Sequence, residues 1–234
     1  MSNIAIITAR GGSKRIPKKN IRDFCGKPII AYSIDAALSA GIFDKVMVST
    51  DSAEIKQVAE SYGAEVPFLR SEATSNDYAT TADVIAEVLK QFAENGSCFE
   101  SFACIYPTAP FVTAARLQEA YTLLSDADAV LSVVQYSFPP QRAFVIRDGK
   151  VVYQHPEHER TRSQDLEPIY HDCGQFYLCR TSSFMAHHSM ILPNTKPCIL
   201  PEEEVQDIDT PSDWAIAEAK FKVLREGKND VSTV

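Results

Sequence analysis

A chain of 234 residues, 45% hydrophobic, with a formal net charge of −8, is long enough for one sizeable core and too acidic for a general nucleic-acid binder. No apolar run reaches the roughly 18 to 20 residues that span a bilayer, and the N-terminus lacks the basic, apolar and small-residue order of a signal peptide, so export is not expected. Six cysteines are scattered without a C-x-x-C pair, which fits buried thiols in a reducing cytoplasm better than a disulfide framework or a zinc site.

Ile4 to Thr8 is a short apolar, β-branched run without polar alternation, the pattern of a strand buried on both faces of a parallel sheet. It runs into A-R-G-G-S-K-R-I-P-K-K-N, a glycine-containing basic loop. Residues 29–40 carry apolar side chains at helical spacing, and Gly41 is a natural stop. A strand follows at Lys45 to Thr50, then a helix capped by Asp51 or Ser52 and ended by Gly63, then a strand-like stretch from Ala64 to Leu69. Residues 80–95 predict an amphipathic helix with Val84, Ile85, Val88, Leu89 and Phe92 on one stripe. Phe102 to Tyr106 reads as a strand stopped by Pro107, Thr113 to Leu124 as a helix, and Ala129 to Val134 as a strand. Alternating strand and helix over the first 135 residues implies an α/β domain with a mostly parallel sheet, whose ligands bind at the carboxyl ends of the strands.

The rhythm then changes. Ala143 to Tyr153 reads as a hairpin around Asp148-Gly149, and residues 154–170 as a long polar loop. Strands are expected at Gly174 to Cys179 and Pro197 to Leu200. Thr210 with Asp213, and Pro211 at the first helical position, open a last helix to about Glu226, followed by a frayed tail at 227–234.

Three segments carry candidate chemistry. In the basic loop, Gly11-Gly12 offers backbone N–H groups, Lys14 a compact charge and Arg10 a bidentate fork, a set suited to a triphosphate. The competing reading is a surface turn with solvated lysines. Asp207 and Asp209, two apart in an extended stretch, share a face and fit a Mg²⁺ that also takes substrate phosphates. Alternatively, Asp209 caps the next helix and Asp207 is solvated. Residues 162–177 are dense in hydrogen-bonding groups, among them Gln164, Asp172, Gln175 and Tyr177, as a polyhydroxylated ligand requires; a solvated loop is the alternative. The pair His187-His188 reads as a helix end, and the cysteines read as packing.

Taken together, the segments I-T-A-R-G-G-S-K-R-I-P-K-K-N (7–20), V-S-T-D-S (48–52), F-L-R (68–70), A-T-T-A-D-V (79–84), Y-P-T-A-P (106–110), S-Q-D-L (163–166) and Q-D-I-D-T (206–210) resemble the CMP-sialic acid synthetase family of cytidylyltransferases over about residues 3–224. F-C-G-K-P-I-I-A-Y-S-I (24–34), R-S-Q-D-L-E-P (162–168) and Y-H-D-C-G-Q-F-Y (170–177) are most similar to its pseudaminate-type members. The resemblance implies a Rossmann-like three-layer α/β/α nucleotidyltransferase fold, with one domain at 1–226 and a dimerisation insertion at about 136–170 that reaches a second subunit's sugar site. It implies that CTP and pseudaminic acid give CMP-pseudaminic acid and pyrophosphate, by direct Mg²⁺-assisted attack of the sugar C2 hydroxyl on the α-phosphate. Arg10, Gly11, Gly12, Ser13, Lys14, Lys19 and Asn20 match the family's nucleotide loop, and Arg70, Thr80 and Thr81 fall where it reads cytosine. Tyr106, Gln164, Asp172, Gln175 and Tyr177 fall at the sugar, and Asp207 and Asp209 match the metal pair. Lys14, Arg10, Lys19 and Asp209 carry the chemistry in this reading, while Arg15 and Lys18 have no role in it. Cys173 and Ser163 stand where sialic acid relatives have Asn and Arg, which favours a different nonulosonic acid; N-acetylneuraminic and legionaminic acids are the alternatives. A non-catalytic nucleotide-binding regulator would have no need of the intact Lys14 and Asp207/Asp209 set.

Overall fold

The computed structural model describes residues 2–231. Its strands are β1 (Asn3–Thr8), β2 (Asp23–Phe24), β3 (Lys27–Pro28), β4 (Lys45–Ser49), β5 (Ser101–Ile105), β6 (Ala129–Gln135), β7 (Phe144–Arg147), β8 (Lys150–Tyr153), β9 (Tyr170–Arg180) and β10 (Thr195–Ile199). Its helices are α1 (Ile29–Ala40), α2 (Ala53–Ser61), α3 (Glu72–Ser75), α4 (Thr81–Glu94), α5 (Ala114–Leu123), α6 (Thr181–His187) and α7 (Pro211–Val231). Six strands form one sheet in the order β10-β6-β9-β5-β1-β4. β1 runs parallel to β4 and β5, and β10 runs parallel to β6. Only β9, inserted between β5 and β6, is antiparallel to its neighbours.

The sheet is buried on both faces, so β1 needs no alternation, and Ile4, Ala5, Ile6 and Ile7 are fully buried. Ala5 and Ile7 point into one core with Ile30 and Ile34 of α1, Ile55 of α2 and Leu117 of α5. Ile4 and Ile6 point into a second with Ile85, Val88 and Phe92 of α4 and Phe184 of α6. These two cores are the two interfaces of a three-layer α/β/α sandwich. Helix punctuation follows the sequence: Gly41 is left-handed (φ 64) after α1, Ser52 accepts from the Ile55 amide, and Thr113 accepts from the Arg116 amide.

A third cluster joins β2, α1 and α7, where Phe24 packs edge-to-face on Tyr32, Trp214 and Phe221. Ile16 from the basic loop and Ile208 from the acidic segment are buried in the same cluster. Packing here fixes the distance between two segments nearly 200 residues apart in the chain.

Three expectations differ from the structure. The stretch from Ala64 makes a single bridge, Glu65 to Met47, and then leaves the sheet. Pro67, which has no N–H to donate, follows that bridge at once, and the chain next crosses the strand ends, where the Arg70 amide donates to the Thr50 carbonyl at 2.8 Å. β9 begins at Tyr170, earlier than expected, because it pairs with Val133 to Gln135 before a bulge. The last helix continues to Val231, so residues 227–231 of the expected tail are helical; 232–234 lie outside the described residues.

Truncating the hub of the third cluster, Phe24→Ala, should cost about 3–5 kcal/mol of stability. Urea titration should show a lower midpoint at unchanged slope; a loss under about 1 kcal/mol would mean that the cluster is not the clamp described.

Candidate active site

β1, β4 and β5 end at one side of the sheet, and a cleft of about 490 Å³ opens there. Its walls are the basic loop, the segment from Arg70 to Thr81, Tyr106 to Thr108 after β5, and Asp209. This is where an open α/β sheet binds ligands.

The basic loop is tied down at several points. The Ala9 amide donates to the Ser49 carbonyl (2.9 Å), and Asn20, 5% exposed, donates its side-chain amide to the Arg10 carbonyl (2.9 Å). The structure ties up one of the two glycine amides. Neither Gly11 nor Gly12 has positive φ, and neither lines the cleft. The Gly11 amide is occupied by the Asp51 carboxylate at 2.7 Å, and a Cβ there would lie 3.1 Å from Ser52 Cβ. Gly11 thus permits a close approach of two loops and gives its amide to the carboxylate of Asp51.

The loop's cations face carboxylates. Arg10 and Lys14 both reach Asp77, at 2.8 and 2.5 Å. The Lys14 ammonium, then Arg10, holds the Asp77 carboxyl below the usual carboxylate range. Lys19 donates to the Ile208 carbonyl at 2.6 Å and lies 3.4 Å from Asp209. Arg15, for which the sequence offered no role, lines the cleft and pairs with Asp209 at 3.0 Å. Lys18 does point away, to Glu54 at 2.6 Å. Nothing in the sequence marked Asp77, an acid in a polar stretch with no pattern around it.

The opposite wall carries Arg70, Thr80 and Thr81 together, as their grouping implied. Arg70 is held from behind by Ser49, donating Nη2–H to its carbonyl (2.8 Å) and Nε–H to its hydroxyl (3.2 Å). Burial pushes the guanidinium pKa down. Thr80 caps α4 in a capping box with Asp83.

The acidic side is built by a bulge in β9. Leu131 pairs with Tyr177 but Val133 pairs with Asp172, and Gly174 takes φ +66 within the extra residues. Ser132, fully buried, spans the gap by donating to the Phe176 carbonyl (2.8 Å) and accepting from its amide (3.1 Å). The bulge sets Asp172 under the Tyr177 hydroxyl, which donates to it, and brings Gly174 next to Asp207. Burial first, and then the Asp207 charge, raise the Asp172 pKa. Tyr177 packs edge-on against Tyr106, whose hydroxyl is pushed up to about 12 by burial.

Asp207 and Asp209 flank the fully buried Ile208, so their side chains face away from the core. Asp209 does not cap α7: Thr210 accepts the Asp213 amide, and Asp213 accepts the Thr210 amide. Among the described residues no three His, Cys, Asp or Glu side chains gather closely enough to hold a metal unaided. Asp209 lines the cleft and Asp207 lies on the other side of Ile208, beside Gly174; one or two carboxylates are what Mg²⁺ accepts when substrate oxygens and water complete its shell.

Of the five expected sugar residues only Tyr106 lines the cleft; Asp172 and Tyr177 lie behind it at the bulge, and the other two stand further apart. Gln175 is 3% exposed and donates to the Glu204 carbonyl (2.6 Å), behind the bulge. Gln164 is exposed on a 3-10 turn of the insertion and does not line the cleft. Cys173 is buried, and burial raises its thiol pKa to about 11, so it is no nucleophile.

Because Asp77 occupies the two most forward cations, an incoming phosphate must displace it. Asp77→Asn should therefore tighten binding of inorganic triphosphate about two- to fivefold at low salt, and the gain should shrink as salt is added. Isothermal titration that shows weaker binding would mean Asp77 orients the cations instead of competing for them.

The family model for Cytidylyltransferase matches residues 4–222. The pseudaminic acid cytidylyltransferase of Campylobacter jejuni is 39% identical over 97% of this chain and 99% of its own length. The CMP-N,N'-diacetyllegionaminic acid synthase of Legionella pneumophila is 36% identical over 97% of this chain and 99% of its own length. Among solved structures, a CMP:2-keto-3-deoxy-manno-octonic acid synthetase complexed with CTP superposes with a TM-score of 0.70 at 16% identity, covering 97% of this chain and 100% of that one; this likeness shows the fold. With the family model spanning nearly the whole chain, and with full-length relatives well above 30% identity, the chain belongs to the cytidylyltransferase family.

Proposed function

We propose that the protein joins CTP and pseudaminic acid to give CMP-pseudaminic acid and pyrophosphate. The observation that carries this reading is one cleft lined by cations of the basic loop, by Arg70, Thr80 and Thr81, and by Asp209, in a chain 39% identical to a pseudaminic acid cytidylyltransferase.

In the reaction the sugar C2 oxygen forms a bond to the α-phosphorus, and the bond from that phosphorus to the β-phosphate bridging oxygen breaks. Pyrophosphate carries off the leaving electron pair, and the hydroxyl proton passes to solvent or a nearby base. Arg10 and Lys14, freed from Asp77, neutralise the oxygens on which charge grows. Lys19 holds the loop against the acidic segment, so that both sets of groups are in place before substrates arrive. Asp207 and Asp209 would hold Mg²⁺, which supplies charge neutralisation and a more acidic sugar hydroxyl when bound. Tyr106, which lines the cleft, would meet the sugar, with Tyr177 packed edge-on behind it and Asp172 hydrogen-bonded to the Tyr177 hydroxyl. No helix among the described residues is long and apolar enough to cross a membrane, and the six cysteines are free thiols, which supports a cytoplasmic enzyme.

The β7–β8 hairpin supports a homodimer. It is a two-stranded sheet of its own, with Phe144, Ile146 and Val151 all more than half exposed. Such a hairpin is marginal in water without a partner surface. The second subunit is the partner that would cover it, and Gln164 on the same insertion would then serve the neighbour's sugar site.

Three measurements test this reading. Pyrophosphate release from CTP should require pseudaminic acid, stop with EDTA and return with Mg²⁺; equal or better kcat/KM with N-acetylneuraminic acid would overturn the sugar assignment. Asp209→Asn should lower kcat by about 10²- to 10³-fold with an unchanged circular dichroism spectrum; near-normal turnover would remove Asp209 from the metal site. Light scattering should show a dimer that Ile146→Asp converts to monomer, and an active wild-type monomer would refute the shared site.

A further inference from the structure

We propose that Asp83 and His188, neither of which lines the cleft, fix the Thr80 hydroxyl as a hydrogen-bond acceptor and thereby select cytosine over uracil. The proposal rests on the reading of the nucleotide as CTP.

A threonine hydroxyl has one proton and two lone pairs, and in most sites it rotates to suit its partner. Thr80 does not have that freedom. Its Oγ1 lies 2.7 Å from Asp83 Oδ2, and an ionised carboxylate can only accept, so the hydroxyl proton must point there. The Asp83 amide donates back into one Thr80 lone pair at 3.2 Å. One lone pair remains, and it is all that Thr80 can offer a ligand on the cleft side.

Asp83 in turn is held from behind. Its Oδ2 also accepts the Thr80 amide (2.8 Å), and its Oδ1 accepts Nε2–H of His188 (2.9 Å). These donors keep the carboxylate ionised, with its pKa lowered to about 2 by His188 first and then by Thr80. His188 sits at the C-terminal end of α6 in a left-handed conformation (φ 50), and its amide closes the helix on the Phe184 carbonyl at 2.7 Å. Phe184 is fully buried and packs edge-on against Phe102 of β5. The chain of contacts therefore runs from the core, through His188 and Asp83, to the Thr80 oxygen at the cleft wall. A capping box needs only Thr80 and Asp83; the histidine from another helix is the addition that sets which carboxylate oxygen faces Thr80.

The chemical consequence concerns position 4 of a pyrimidine. Cytosine carries an amine there, a donor that a fixed acceptor satisfies. Uracil carries a carbonyl, which would face the remaining Thr80 lone pair with no proton between them. Arg70, on the same wall, can only donate, and the carbonyl at position 2 that suits it is common to both bases. Discrimination at position 4 thus falls to a group whose polarity is fixed, and sites of this kind reject the mismatched analogue by leaving polar groups unpaired.

The test compares kcat/KM for CTP and UTP in the Mg²⁺-loaded enzyme. Asp83→Asn can donate to Thr80 and releases its proton, so the CTP-to-UTP ratio should fall about tenfold, mainly through KM, with kcat for CTP less changed. His188→Ala should move the ratio the same way, whereas His188→Gln, which keeps a donor near the Nε2 position, should restore it. If Asp83→Asn fails to fold, the histidine pair carries the test alone. An unchanged ratio in the folded variants, or equal weakening for both nucleotides, would reduce the pair to a structural cap. Calorimetric binding of CTP and UTP separates the two readings. A protein that prefers CTP and loses that preference in the variants, yet makes no CMP-sugar, keeps this inference and discards the transfer reaction.

Discussion

The bridge from Lys19 to the Ile208 carbonyl and the Asp209 carboxylate is the constraint on which the site depends. It joins the first loop of the chain to a segment that lies beyond every strand of the sheet. Only one-fifth of the Lys19 side chain is exposed, so the bridge is partly shielded from water and salt. Beneath it, Ile16 and Ile208 share one aromatic cluster. Apolar burial holds the two segments at a fixed separation, and the ammonium holds their register. Remove either, and the basic and acidic halves are two unrelated surface loops.

The sheet supplies the second fixed point. Among the described residues β9 is the one strand of the six-stranded sheet that runs against both its neighbours, and it is also bulged. The two facts belong together. An antiparallel strand between β5 and β6 carries its chain away from the carboxyl ends of the parallel strands, so residues before the bulge lie near the cleft mouth. The extra residues around Gly174 then turn Asp172 toward Tyr177 and open room for Asp207. Ser132 satisfies the backbone groups that the bulge leaves without ladder partners, which is why a hydroxyl is fully buried in an otherwise apolar strand.

Much of this was legible in the chain because it is written locally. β1 announces itself by an unbroken β-branched run, α4 by its stripe, and the ends of α1 and α7 by Gly41 and the Thr210–Asp213 box. The family resemblance singled out Arg10, Lys14, Lys19, Arg70, Thr80, Thr81 and Asp209, and the structure brings all of them to one cleft. What was not legible depends on approach through space. Asp77 meets Arg10 and Lys14 across more than sixty residues, Arg15 meets Asp209 across the site, and His188 meets Asp83 from another helix. The close approach of Gly11 to Ser52 was hidden for the same reason: the two residues belong to different loops. Peeling of the chain after Glu65 had a local signal in Pro67, but a single bridge and a short strand share the same apolar pattern.

Charge explains why these distant contacts exist. A loop carrying Arg10, Lys14, Arg15, Lys18 and Lys19 repels itself, and each of these cations has found a carboxylate: Asp77 takes two, Asp209 takes two and Glu54 takes one. The site is therefore electrostatically compensated before any ligand enters, and an anionic substrate enters by exchange. A triphosphate that displaced Asp77 would gain its contacts with Arg10 and Lys14 at the cost of the pairs it breaks. Displacement also leaves a carboxylate unpaired on the segment that leads to Thr80, and approach of phosphate to Arg15 and Lys19 loosens their hold on Asp209. A carboxylate that loses its cations to an arriving phosphate is the one best prepared to share a divalent cation with that same phosphate. In the proposed reaction, filling the basic half of the cleft would therefore leave the carboxylate of Asp209 freer to help hold a divalent cation, and so would link occupation of the nucleotide site to readiness of the acidic half.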